Sequence, residues 1–142
     1  MMDTLSIKQN TQTRREGVLA VHSVDEFVFS VPDLAAAVHY YENFGLRVKQ
    51  ESFKGQPSLG LYTEQHSHRW GRVLTGGDRK RLQWITFGIY PEDLERFKSH
   101  IHHCGVKEIA PLDPESSNHH CIWFLHPDGL PLQVRVAEKT SP

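Results

Sequence analysis

Cysteine is scarce in this chain: two residues in 142, Cys104 and Cys121. Two thiols cannot make a disulfide framework, and no CxxC or zinc-type Cys/His spacing occurs. A reducing compartment and two half-buried free thiols are expected. Charge of one sign is also missing, because sixteen Lys and Arg face seventeen Asp and Glu for a net charge of −1. Without a basic run there is no electrostatic footprint for nucleic acid. Apolar runs end after a few residues, far short of the roughly 20 that a membrane-crossing helix needs, so no membrane partner is expected. Residues 1–15 are polar and lack the apolar segment of a secretory signal, which makes a cytoplasmic location the expectation. There is no Gly-rich phosphate loop, nucleophile elbow or triad spacing.

What is present is a repeat. Residues 1–20 are rich in Thr, Gln, Asn and Ser without periodicity and read as a flexible tail. Residues 21–137 form the expected domain, in two modules at about 24–76 and 82–136, and 138–142 reads as a tail or linker. Glu26-Phe27-Val28-Phe29-Ser30-Val31-Pro32-Asp33-Leu34 is a strand leading into a helix. Trp84-Ile85-Thr86-Phe87-Gly88-Ile89-Tyr90-Pro91-Glu92-Asp93-Leu94 repeats that plan.

In the first helix Asp33 suits the N-cap, Leu34, Val38, Tyr41 and Phe44 make the apolar stripe, and Gly45 ends it. In the second, Asp93 suits the start, Leu94, Phe97 and Ile101 make the stripe, and Gly105 ends it. Short strands follow each helix: near 46–53, 58–63 and 69–75 in the first module, and near 106–110, 119–125 and 130–136 in the second. The last two flank a Pro127-Asp128-Gly129 turn, in which Pro presets φ and Gly takes a positive φ. The plan is βαβββ twice, an α+β domain with helices outside a curved-sheet cup.

Alternation along the strands sets the faces. Phe27, Phe29 and Val31 share one face with Ile85, Phe87 and Ile89, and suit packing under the helices. Glu26, Val28 and Ser30, with Trp84 and Thr86, take the concave side. Leu132, Val134 and Val136 share a face of the last strand, and Gln133 and Arg135 share the other, in the cup.

Three segments in this order resemble the vicinal oxygen chelate superfamily of glyoxalases, bleomycin-resistance proteins and extradiol dioxygenases. They are Leu61 to Trp70, Leu82 to Ile89, and Phe124 to Gln133 with its Pro-Asp-Gly-Leu-Pro-Leu core. The nearest variety is the N-terminal domain of two-domain extradiol ring-cleavage dioxygenases. In metal-binding members the resemblance implies ligands on inward strand faces, with dioxygenases using two His and one Glu around Fe(II). Carried onto this chain, the two His positions fall at Glu26 and Trp84 and the Glu position at Gln133. A further wall position lies around Arg69 to Arg72 and offers neither carboxylate nor His. No metal site is therefore expected here. In two-domain dioxygenases the resemblance places Fe(II) in the second domain instead.

Each cup residue has a functional and a structural reading. Glu26 is a base or remnant ligand, or else it pairs with Arg135 or Gln133, because a buried carboxylate needs a partner. The second is favoured. Trp84 is a stacking wall for a small aromatic ligand, or a plug, and the plug is favoured. Ten histidines do not make a metal cluster. His100, His102 and His103 complement the end of the second helix, and His66 and His68 sit near a strand connection, where only adventitious metal is expected. His119 and His120 point to opposite faces, and His126 is exposed before its turn.

The expected function is a metal-free, non-catalytic N-terminal domain of an Fe(II)-dependent extradiol dioxygenase, packing against a catalytic domain or another copy of itself. The alternative is a complete metal-free small-molecule binding protein of the bleomycin-resistance kind. Less favoured is a single-domain lyase or isomerase using Glu26 and Gln133 with a ligand borrowed from a second subunit.

Overall fold

The computed structural model describes residues 19–116 and 120–138. The strands are β1 (Ser23–Val31), β2 (Arg47–Phe53), β3 (Gln56–Tyr62), β4 (Arg69–Thr75), β5 (Arg81–Ile89), β6 (Cys121–Leu125) and β7 (Pro131–Val136). The helices are α1 (Leu34–Asn43) and α2 (Leu94–His103). All seven strands join one curved mixed sheet in the order β2-β3-β4-β1-β5-β7-β6. β1 and β5, the first strands of the two modules, pair antiparallel at its centre. Each then pairs in parallel with the last strand of its own module, β4 or β7.

The expected α+β architecture is therefore observed, and the helices bury the faces that alternation assigned. α1 packs Leu34, Val38 and Tyr41 against Phe29, Leu59, Leu61 and Val73. α2 brings Leu94, Phe97 and Ile101 against Ile89, Ile122 and Val134. Leu59 and Ile89 are fully buried, and side chains of this size contribute about 1.5–3 kcal/mol each.

Several expectations are corrected. The strand near 106–110 is reduced to one bridge between Glu108 and Phe124, among the described residues. Pro111 ends it: proline has no N–H to extend a ladder, and it restricts the residue before it. The following segment turns into the cup instead, with Ile109 and Leu112 packed on Val28, Trp84, Cys121 and Trp123.

Phe44 does not join the stripe of α1. It is the C-cap residue, 73% exposed, and stacks on Tyr40. Phe27 is 39% exposed because two helices over seven strands leave the central seam uncovered. Asp33 caps α1 by accepting from the Ala36 amide at 3.2 Å. Asp93 does not cap α2 with its side chain, because a 3-10 turn, Pro91–Asp93, leads into the helix and Asp93 is buried against Arg96. Cys104 is exposed and Cys121 buried, rather than both half-buried. The readings of 1–18, 139–142 and His119 lie outside the described residues.

Candidate functional site

The cup is built on the row where the two modules meet. Register sets Glu26 of β1 opposite Thr86 of β5, and Thr86 opposite Gln133 of β7. The same register sets Val28 opposite Trp84, so Glu26 and Trp84 are diagonal neighbours on one face. Glu26, Thr86, Trp84 and Gln133 are all buried. The three positions singled out in the sequence thus converge, with Thr86 between Glu26 and Gln133.

Their chemistry is set by partners from other elements. Glu26 Oε2 accepts from Arg69 Nε at 2.6 Å. Arg69 Nη1 also donates to Glu51 Oε1 at 3.0 Å, and Tyr62 Oη donates to Glu51 Oε2 at 2.6 Å. Four side chains from β1, β2, β3 and β4 form one chain of charge-assisted bonds. Burial pushes the Glu26 carboxyl above its ordinary value, and Arg69 only partly offsets this. Burial works against the Arg69 guanidinium, yet Glu26 and Glu51 raise its pKa and keep it charged. Burial and the Glu51 carboxylate push the Tyr62 phenol up.

The expected partner of Glu26 is thereby corrected. Arg135 donates from Nε and Nη2 to Asp25 Oδ2, at 3.2 and 2.5 Å. Asp25 reaches the interior because β1 bulges between Val24 and Glu26, turning two consecutive carboxylates inward. His68 Nε2 lies 2.8 Å from the Asp25 carbonyl and 3.4 Å from Oδ1, so it belongs to this network. Strict alternation puts Asp25 outside, and nothing in the sequence announces the bulge.

Gln133 is not a partner of Glu26 either. Its Oε1 accepts from Thr86 Oγ1 at 2.7 Å, and its Nε2 donates to Ser116 Oγ at 3.0 Å. Trp84 packs edge-on to Trp123 at 5.3 Å and against Phe53 at 5.9 Å, 3% exposed. It fills space at the floor of the cup.

These residues do not fit a ferrous ion. Fe(II) needs anionic oxygen or imidazole donors on one point. Here a guanidinium already holds Glu26, an indole offers no lone pair, and the Gln133 oxygen is taken by Thr86. Among the described residues no three His, Cys, Asp or Glu side chains are grouped so as to hold a metal. His66 and His68 lie edge-on to one another at 6.4 Å between ring centres. His100, His102 and His103 end α2, and His120 and His126 are exposed.

A second acid–base pair lies deeper. Arg72, 3% exposed, donates from Nη1 to Asp113 Oδ2 at 3.2 Å, and its guanidinium lies over the Phe53 ring at 5.3 Å. A cavity of about 350 Å³ opens beside it, bordered by Arg69, Arg135, Asp113, Ser116 and Cys121. Sequence reasoning placed Arg72 in a wall stretch without giving it a partner, and did not single out Asp113. The one available signal was an arginine at an inward position of β4.

Comparison with known proteins agrees with this fold. The sequence model of the Glyoxalase/Bleomycin resistance protein/Dioxygenase superfamily matches residues 23–134. The chain is 32% identical over 123 residues to metapyrocatechase 2 of Cupriavidus necator, covering 87% of this chain and 36% of that protein. It therefore spans about a third of the length of that curated relative. Among solved structures it is similar in fold to a catechol 2,3-dioxygenase, with a TM-score of 0.67 and 18% identity over 86% of this chain and 44% of the other. It is also similar to methylmalonyl-CoA epimerase from Mycobacterium tuberculosis, with a TM-score of 0.63 and 14% identity over 92% and 97% of the two chains.

Proposed function

Because the chain belongs to the Glyoxalase/Bleomycin resistance protein/Dioxygenase superfamily, we propose that it serves as the non-catalytic, N-terminal type of domain of an Fe(II)-dependent extradiol dioxygenase. Its work is to pack against a catalytic domain that carries the iron, or against another copy of itself. The observation that carries this reading is the salt bridge of Arg69 with Glu26, which sets a fixed cation against the position where a metal-binding dioxygenase would carry a histidine ligand. The identity to metapyrocatechase 2 supports the assignment to aromatic ring cleavage.

The test reads the transcript downstream of Pro142 and measures the iron content of the translated product. Two further βαβββ modules with His, His and Glu on inward strands, holding one Fe(II), support the reading. A stop codon directly after Pro142 overturns it.

The second reading is a metal-free small-molecule binding protein. The observation favouring it is the cavity of about 350 Å³ beside Arg72.

A further inference from the structure

Three guanidinium groups point into this cup, and they are not equally engaged. Arg69 is held by Glu26 and Glu51, and Arg135 by two bonds to Asp25. Arg72 has one bond among the described residues, at 3.2 Å, to Asp113. Its Nε is buried and has no hydrogen-bond partner among the described residues. A buried donor without a partner loses its hydration and gains nothing in return, so this guanidinium is under-satisfied. Asp113 also divides its carboxylate, because Oδ1 accepts from the Glu115 amide at 3.0 Å.

The acid that meets Arg72 belongs to the segment that leaves the sheet at Pro111. Leu112 packs on the apolar floor, Asp113 meets Arg72, and Ser116 meets Gln133. An apolar group, a carboxylate and a hydroxyl thus enter the cup from the chain's own backbone. Those are the features of a small organic acid. The cavity beside them, about 350 Å³, borders the same guanidinium.

We propose that this cup binds a small organic carboxylate on Arg72, in the place that Asp113 now takes. The ligand carboxylate spans Nε and Nη of Arg72 side by side, the bidentate geometry that Asp113 does not reach. Its apolar body lies in the adjoining cavity, against Cys121 and Val136. The 111–116 segment is then a tethered competitor, and its release accompanies binding. The proposal deepens the small-molecule reading and also stands if the chain works within a dioxygenase, because the cup is the same in both.

Calorimetric titration of the full chain with benzoate tests it, with benzamide as the neutral isostere and catechol as the phenolic control. Benzoate is expected to bind and benzamide to bind at least about tenfold more weakly, the loss of one charge-assisted pair. Asp113→Asn removes the competing charge and tightens benzoate binding at least about threefold without strengthening benzamide, while Arg72→Gln abolishes the preference for the acid. If Arg72→Gln does not fold, the Asp113→Asn comparison decides. Equal affinity for benzoate and benzamide, or no gain in Asp113→Asn, overturns the proposal. If benzamide or catechol binds and benzoate does not, the carboxylate site fails and the small-molecule reading survives. If none of the probes binds either protein, both fail and the structural-domain reading is left.

Discussion

Arg69 Nε and Glu26 Oε2 meet at 2.6 Å across the mouth of the cup, joining β4 to β1 through side chains as well as through the sheet. Glu26 is 2% exposed and Arg69 28%. The carboxylate thus gives up most of its hydration, while the guanidinium keeps part of its own. Removing the arginine leaves the buried carboxylate with only the more weakly acting Arg135 to offset its charge.

Arg69→Met is therefore expected to destabilise the fold by about 2–3 kcal/mol, below the 3–5 of a fully buried pair because Arg69 is partly solvated. Adding Glu26→Gln to Arg69→Met recovers most of that loss. Chemical denaturation of the two variants checks this, and an additive double variant would refute the coupling.

The pH dependence follows from the direction of the Glu26 shift. Its pKa in the folded protein lies above the ordinary 4.5 because of burial. The folded state therefore binds this proton more tightly than the unfolded state does. The contribution of Glu26 to stability is fully present below about 4.5 and is lost as pH rises through the folded value. NMR titration of the Glu26 carboxyl carbon should show a midpoint above the ordinary range, raised further in Arg69→Met. A midpoint at or below 4.5 in the wild type contradicts the assignment.

Metal binding is expected only after three changes. The purified chain should hold no stoichiometric Fe(II) by elemental analysis. Arg69→Leu with Trp84→His and Gln133→Glu presents two carboxylates and an imidazole on one face without the neighbouring cation. That variant is expected to take up one equivalent of Fe(II), and the same variant with Arg69 retained to bind at least about tenfold more weakly. Equal uptake by the two shows that the guanidinium is not the obstacle.

Trp84 fills the floor of the cup between Trp123 and Phe53. Trp84→Ala should cost about 3–5 kcal/mol in urea denaturation, since the site cannot collapse around so large a void. A loss below about 1 kcal/mol means that Trp84 does not fill the floor.

The caps of the two helices should behave differently. Asp33→Ala removes the bond to the Ala36 amide and should cost about 1 kcal/mol. Asp33→Asn, which keeps a capping oxygen, should be nearly neutral. Asp93 is fully buried, so Asp93→Asn there tests an ion pair with Arg96 rather than a cap. The comparison is made by thermal unfolding.

Local chemistry made much of this protein legible from its sequence. Strand alternation put Glu26, Trp84 and Gln133 on the inner face, because side chains alternate along a strand whatever the strand pairs with. The helix stripes and the Pro-Asp-Gly turn depend on neighbours a few residues apart, so they too were readable. Tertiary structure decided who meets whom. Arg69 reaches Glu26 from 43 residues away and Asp113 reaches Arg72 from 41. A bulge between Val24 and Glu26 brought Asp25 inward to take Arg135. Those pairings depend on sheet order, on register and on a segment folding back after Pro111. Each joins residues far apart in the chain, which no local periodicity encodes.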